Sequence, residues 1–444
     1  MNEVQRTPSN PRRIVVIGGG FAGLRVARGL SGGGAAITLV DRHNYHVFQP
    51  LLYQVATAVL SPGDIAAPLR HILRRHRDVT TVLGDAQRID TTARTVTLDH
   101  GAVLPYDYLV VATGATHAYF GHDEWRSTAP GLKTLDDALE IRRRVLLAFE
   151  RAERESDSEA RRALLTFVVI GAGATGVEMA GALSAIAREA LVGEYRSIGP
   201  ERARVVLLEG GPHVLPTFPP DLRRLARASL RDLGVEVRTD TMVTRIADGI
   251  VQAGDQRIRT GTVIWAAGVQ ASPLAKTLEV PLDRAGRVLI TPELNVRDHP
   301  EVFVIGDLAS LSIDGRPLPG LATVAQQQGD HAAKNIRRAL RGQPLEPFRY
   351  RDRGMLATIG RWRAVAEIGD YHFDGALAWL VWLAVHLVKL VGFRNRASTL
   401  LQWMWSLATR DRGVRLITND ELVWNTPPAA APPRAERRQA FRQA

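Results

Sequence analysis

Two runs in this 444-residue chain have the spacing G-x-G-x-x-G: Gly18, Gly20 and Gly23, and again Gly171, Gly173 and Gly176. In such a run the first glycine makes a tight turn, the second lets a pyrophosphate approach the backbone, and the third lets helix and strand pack closely. The N–H groups opening the next helix, with their partial positive charge, then face the phosphates. Two dinucleotide sites without a substrate domain of comparable size imply that one nucleotide reduces the other, hydride passing from a nicotinamide to a flavin that hands electrons on.

The elements that must position these loops read directly from the apolar pattern. Residues 14–17 form a buried strand before the first loop, residues 24–30 carry helical spacing after it, and a strand at 37–40 ends on Asp41, placed to accept hydrogen bonds from a ribose diol. The second unit repeats this with a strand at 166–170, a helix from Val177 and a strand at 205–208 ending on Glu209. Glu209 lies beyond the ~20-residue spacing of the fingerprint, and an extra helical extension over 187–204 is expected to account for the delay. Gly210 and Gly211 come next, with no nearby arginine to hold a 2′-phosphate, so NADH is favoured over NADPH.

Two further strands, at 108–114 and 263–268, end in small residues, Thr113-Gly114 and Gly268; a third apolar run at 302–305 ends in Gly306-Asp307, and a helix is predicted over about 322–340. Strands alternating with helices mean parallel sheets covered on both faces, an α/β fold with two Rossmann-like dinucleotide-binding domains. Asp307 at a strand end suits a ligand, although an aspartate there also suits an N-cap. Glu178 is read in the first turn of the second helix, where it either projects toward the cofactor junction or satisfies the helix dipole.

Composition narrows the chemistry. The chain has a net charge of +11 and no cysteine, which removes disulfides, thiolate metal sites, cysteine-ligated iron–sulfur clusters and dithiol relays. The basic balance suits a phosphate-bearing cofactor or an acidic membrane surface, and the lack of any nucleic-acid-reading motif argues against nucleic acid. His43 and His46 read as loop packing and no metal site is expected. The polar N-terminus lacks a signal-peptide core, which reads as a cytoplasmic product. Residues 136–162 read as an exposed helix and linker, with Arg142, Arg143 and Arg144 on a solvated face.

The last quarter differs. Residues 376–393 are apolar nearly all round, broken by His386 and Lys389, and 398–408 add more apolar side chains. Trp379, Trp382, Trp403 and Trp405 are aromatics of the interfacial kind, while Lys389, Arg394, Arg396, Arg410, Arg412 and Arg415 suit anionic headgroups. The expectation is monotopic attachment; the run is marginal for a span, and a buried core or homodimerisation helix is the competing reading.

These segments together resemble the type II NADH dehydrogenases, single-subunit, non-proton-pumping NADH:quinone oxidoreductases of the two-dinucleotide-binding-domain flavoprotein superfamily. The matching stretches are VVIGGGFAG at 15–23, NYHVFQPLLYQVATAVL at 44–60, 106–114, VVIGAGATGVEMAGAL at 168–183, 263–268, 303–307 and GLATVAQQQG at 320–329. The resemblance implies FAD on the first loop (Gly18, Gly20, Phe21, Ala22, Gly23, with Asp41) and NADH on the second (Gly171, Gly173, Ala174, Thr175, Gly176, with Glu178, Glu209 and Gly268). It further implies that Ala86, Thr113, Gly114 and Asp307, with Gln54, lie against FAD, and that Glu178 contacts the nicotinamide or helps deliver a proton to quinone. The family's quinone motif has two glutamines four apart; here Thr323 replaces the first and Gln327 matches the second. The implied layout is an FAD-binding domain at 12–125 and 286–345, an NADH-binding domain at 126–285 inserted in it, a membrane-associating region at 346–426 and a disordered tail at 427–444, the whole lying peripherally on the cytoplasmic face of the cell membrane.

Two other readings compete. An FAD-dependent NAD(P)H reductase of a protein acceptor, ferredoxin reductase-like or diaphorase, would have no use for a lipid-seeking C-terminus. A nucleotide-responsive binding protein would hold both nucleotides without turnover.

Overall fold

The computed structural model describes residues 11–418; the expected disordered tail at 427–444 lies outside them. In chain order the elements that position the site begin with β1 (Arg13–Ile17), α1 (Phe21–Leu30), β2 (Ala36–Asp41), β3 (Val79–Leu83), β4 (Tyr108–Val111) and α2 (Leu135–Arg154). They continue with β5 (Thr166–Ile170), α3 (Ala174–Ala185), β6 (Arg204–Leu208), β7 (Val235–Arg238), β8 (Thr262–Trp265), β9 (His299–Val304) and α4 (Ala322–Leu340). The C-terminal elements are β10 (Met355–Gly360), β11 (Arg363–Ile368), β12 (Tyr371–Asp374), α5 (Gly375–Lys389) and α6 (Phe393–Thr409).

The chain divides into two compact units. The first holds the residues up to Val47, then Ala66–His117 and Val269–Arg353; the second holds Phe48–Ile65, Ala118–Gly268 and the chain from Gly354 onward. One nucleotide-binding unit is thus inserted in the other, and the crossover points are short strands: Ala115–His117 pairs antiparallel with Val269–Ala271.

The first unit is built on a six-stranded sheet in the order Asn295–Val296, β9, β4, β1, β2, β3, parallel apart from the short edge strand. Alternate side chains of β1 serve opposite cores. Ile14 and Val16 pack with Leu24, Val26 and Ile336 of the helices, while Val15 and Ile17 pack with Val111, Leu274 and Leu278. Both faces are buried, which is why these strands read as continuous apolar runs.

The second unit has a four-stranded parallel sheet in the order β7, β6, β5, β8. Its long helix α2 starts from a capping box in which Thr134 and Asp137 satisfy each other's backbone N–H. The expectation of an exposed helix fails here: Arg142 and Arg143 are buried with Ile141, Val145, Leu146 and Phe149. A cationic triplet reads as a solvated face only while its counter-charges are unseen; Glu140 sits within 2.8 Å of Arg143 and 2.6 Å of Arg144.

Between α3 and β6 the expected helical extension is also revised. A π-helical turn at Ile186–Ala190 prolongs α3, and the rest is turn with a single 3-10 piece at Pro200–Arg202. The C-terminal segment adds an antiparallel sheet, β10–β11–β12, on which α5 packs through Ala378 and Trp379.

Candidate functional site

In the first unit the strand C-termini gather the predicted residues. Gly18 follows β1, Asp41 ends β2, Thr113 and Gly114 follow β4, and Gly306-Asp307 follow β9, all on neighbouring strands of one sheet. Ligands of open α/β sheets bind at this edge. A Cβ on Gly18 would stand 2.4 Å from the Ala112 carbonyl oxygen, and one on Gly23 would stand 1.8 Å from that of Gly18. A Cβ on Gly20 would meet nothing within 4 Å, so backbone is bared there to open space at the start of α1. Thr113 Oγ1 is buried without a hydrogen-bond partner among the described residues. An open glycine cradle at a helix N-terminus and an orphaned hydroxyl fit the pyrophosphate and polar groups of FAD.

Asp41 does more than wait for a ribose. Its carboxylate accepts the Gly19 N–H at 2.5 Å and the His43 N–H at 2.7 Å, so it braces the glycine loop. His46, read from sequence as mere packing, is a second brace: it is buried, its Nδ1 lies 2.9 Å from the Gly19 carbonyl oxygen, and its ring meets Phe21 edge-on at 5.3 Å. Burial holds its pKa below the usual imidazole value. Ala22 is buried, and Ala86 opens a peripheral strand, Ala86–Asp90. Asp307 lies in a one-turn 3-10 helix, Gly306–Leu308, whose Gly306 N–H donates to Gln328 Oε1 at 2.7 Å.

Thr323 and Gln327 share one face of α4. Gln327 is occupied: Nε2 donates to the Arg351 carbonyl at 2.9 Å and Oε1 accepts the Arg351 N–H at 3.0 Å. Thr323 Oγ1 lies 3.5 Å from the Tyr350 hydroxyl. Both residues therefore hold the segment that follows the helix.

The second unit repeats the first arrangement. Gly171 follows β5, Glu209 follows β6 and Gly268 lies shortly beyond β8 on three adjacent strands. Glu209 accepts the Ala172 N–H at 2.7 Å and the Gly211 N–H at 2.8 Å. Ala174, Thr175 and Gly176 form the first turn of α3, and a Cβ on Gly173 would again meet open space. Arg238 ends the neighbouring strand β7, yet its guanidinium is tied to Glu236 and Gln256.

Glu178 is the fifth residue of α3, and that helix has no acidic residue in its first turn, so the helix-dipole reading falls away. It lines a cavity of about 120 Å³ together with Tyr53, Gln54, Trp379, Trp382, Trp403 and Arg412. Burial raises its pKa to about 8, against a lowering hydrogen bond from the Thr358 backbone. Tyr53 is pushed well above the ordinary phenol by burial and by the Glu178 charge. Gln54 is held at both ends, donating to the Tyr53 hydroxyl at 2.9 Å and accepting from Trp403 Nε1 at 2.6 Å. Trp382 Nε1 and Arg361 Nε, on residues that also line this cavity, are buried without partners among the described residues.

Three of the four tryptophans expected at an interface are thus interior: Trp379, Trp382 and Trp403 are buried and only Trp405 is exposed. Arg412 is likewise interior, donating to the Thr57 carbonyl at 2.8 Å, with burial lowering its pKa to about 10. Arg415 pairs with Glu194 and Asp411 at 2.7 and 2.8 Å. Nothing in the local pattern marks Trp403 or Arg412, because their partners Gln54 and Thr57 come from distant parts of the chain.

Two glycine loops on parallel sheets, one unit inserted in the other, define a flavoprotein-type pyridine nucleotide oxidoreductase. Residues 12–329 match the family described as pyridine nucleotide-disulphide oxidoreductase, and residues 353–411 match the NDH2 C-terminal domain. The type II NADH:quinone oxidoreductase Ndh of Mycobacterium tuberculosis is 44% identical over 94% of this chain and 93% of its own length. NdhA of the same organism is 46% identical over 92% of this chain and 89% of its own. The NDH2 of Plasmodium falciparum, solved in complex with NADH, superposes with a TM-score of 0.84 over 92% of this chain and 100% of that one; at 18% identity it bears on the fold alone. The chain belongs to the type II NADH:quinone oxidoreductases.

Proposed function

We propose that the protein oxidises NADH and reduces a membrane quinone to the quinol, using FAD held on the first glycine loop and without pumping protons. When bound, FAD supplies a two-electron relay between a hydride donor and the quinone. Gly18, Gly20, Phe21, Ala22, Gly23 and Asp41 would seat its pyrophosphate and ribose, with Ala86, Thr113, Gly114 and Asp307 along its length. Gly171 to Gly176, Glu209 and Gly268 would seat NADH, the carboxylate of Glu209 disfavouring a 2′-phosphate.

The observation that carries this reading is the cavity around Glu178. Its volume is on the scale of the ~150 Å³ that takes up a benzene ring, and its walls are tryptophan with unpaired N–H donors beside them, suited to a flat ring bearing carbonyl acceptors. Quinone reduction by NADH consumes one proton from solution. Glu178, with its pKa raised to about 8, still carries a proton at neutral pH and is positioned to supply it. In the first unit, Thr323 and Gln327 lie on the face of α4 that fixes Tyr350 and Arg351, and by resemblance they are the residues of the family's quinone motif.

Attachment to the membrane rests on α5 and α6. Leu377, Val388, Phe393, Leu401, Met404 and Trp405 are exposed on them, with Arg394, Arg396 and Arg410 exposed nearby. Among the described residues no helix is long and apolar enough to cross a membrane. Apolar side chains rimmed by cations suit a peripheral seat on anionic lipid at the cytoplasmic face. Recovery of the full chain in the soluble fraction without detergent would sink this part.

Anaerobic stopped-flow tests the whole. NADH should bleach the flavin rapidly and a short-chain quinone should restore its colour, with ubiquinone and menaquinone analogues compared for rate. Bleaching that only a protein acceptor reverses would replace the quinone reading, and no bleaching would leave a binding protein.

A further inference from the structure

Two large apolar side chains stand exposed beside the second glycine loop, one on each side of it. Phe120 is 70% exposed and Met242 66%. Single exposed apolar residues are ordinary on a protein surface, so what matters is where these two lie.

Phe120 covers the end of β8. Its ring lies over Gly268, where an added Cβ would stand 2.5 Å from Phe120 Cζ. The glycine loop abuts the same segment, since a Cβ on Gly171 would overlap Ala266 and Ala267. The surroundings of Phe120 are fastened inward. The Ala118 N–H donates to the Gly268 carbonyl at 3.1 Å, Trp265 Nε1 donates to the Ala118 carbonyl at 2.9 Å, and the buried Tyr119 ring stacks on Trp265 at 5.1 Å. Phe120 itself has a φ of 53°, in the left-handed region that bulky side chains rarely adopt, and its ring is left in the open. Backbone strain of this kind gathers at ligand sites, where the surrounding structure holds it in place.

Met242 covers the other side. It follows β7, and a Cβ on Gly210, next to Glu209, would stand 2.8 Å from Met242 Cε. The turn that carries it is tied to the end of β6: the Asp240 N–H donates to the Gly211 carbonyl and the Thr241 N–H to the Glu209 carbonyl, both at 2.9 Å.

The sheet order gives each side chain a different ring. With strands in the order β7, β6, β5, β8, the pyrophosphate belongs at the loop after β5 and the adenosine ribose at Glu209, after β6. The adenine then continues toward the end of β7 and the nicotinamide toward the end of β8. We propose that Met242 lies against the adenine of NADH and Phe120 against its nicotinamide, an inference that rests on the reading of this loop as the NADH site. A phenyl ring and a polarisable thioether both gain from contact with a flat heteroaromatic ring.

The test compares NADH with ADP-ribose, which ends before the nicotinamide, on the FAD-loaded full chain. Anaerobic stopped-flow gives the NADH concentration that half-saturates flavin reduction, and calorimetry gives the affinity for ADP-ribose. Phe120→Ala should raise the first about tenfold, the usual scale for one lost aromatic stack, with ADP-ribose bound as tightly as by wild type. Phe120→Tyr, which keeps the ring, should recover most of that loss. Met242→Ala should weaken both ligands about fivefold, as a lost sulfur–ring contact would. A Phe120→Ala chain that takes NADH as wild type does, or that weakens for both ligands alike, overturns the assignment of Phe120. ADP-ribose affinity unmoved by Met242→Ala overturns that of Met242. Either result leaves the NADH site standing. A wild-type chain that neither binds ADP-ribose nor is reduced by NADH would instead remove the site itself, and this inference with it.

Discussion

The two glycine loops are near copies in backbone and opposites in the helices behind them. Gly18 and Gly171 have φ of 101° and 99°, and a Cβ on either third glycine would stand 1.8 Å from the carbonyl oxygen of its own loop's first. Each loop is braced by a carboxylate from the next strand, 22 residues from Gly19 in one case and 37 from Ala172 in the other. Divergence begins on the helix: the fifth residue of α1 is Arg25, exposed and 3.7 Å from Asp330, while the fifth of α3 is Glu178, set into a cavity with a raised pKa. The loop backbones match, and only the second helix carries a buried carboxyl whose pKa is raised toward neutrality.

The sharpest way to break this comparison is to fill each third glycine. Gly23→Ala should yield protein that purifies without FAD, read from its visible spectrum. Gly176→Ala should keep FAD but slow its reduction by NADH about 100-fold, the scale of a 1 Å misplacement at a reacting centre. Equal FAD loss in both would mean the loops are not specialised.

Exchanging the helix residues comes next. Glu178→Gln should lower kcat with quinone about 100-fold, while Arg25→Ala leaves it unchanged. Wild-type activity should fall as pH rises through about 8, and this limb should be missing in Glu178→Gln. Stability carries the same signature. Between the ordinary carboxyl range and about 8 the folded chain keeps a proton that the unfolded chain has released, so wild type loses stability as pH rises and the glutamine variant lacks that slope. Denaturant midpoints measured across that window check it.

The smallest effect concerns Gln327. Its amide is committed to Arg351, so Gln327→Ala should raise the KM for quinone only a few-fold and cost about 1 kcal/mol of stability. A complete loss of quinone turnover would instead make it a direct contact.

Much of the fold is legible in the sequence because glycine motifs and buried parallel strands are local patterns. α4 runs over Ala322–Leu340, as its periodicity predicts, and each loop has its strand and helix. What local pattern does not carry is the identity of a neighbour. An all-apolar helix such as α5 reads the same against lipid or protein, so Trp379 and Trp382 read as outward although they face the interior. Arg142 and Arg412 read as surface cations because their partners, the Val414 and Thr57 carbonyls, lie 272 and 355 residues away. Glu178 stands out by position, but its burial depends on Tyr53 and Thr358, which no spacing rule links to it.

Arg412 also bears on biosynthesis. It joins Thr57 to Ala182 from near the end of the described chain, closing a unit whose other pieces were made hundreds of residues earlier. A ribosome still translating the C-terminal helices therefore carries a first unit able to complete its sheet, since that unit ends at Arg353, and a second unit still lacking its final tie. Packing around Glu178 then finishes only after α5 and α6 exist, because Trp379, Trp382, Trp403 and Arg412 all line its cavity.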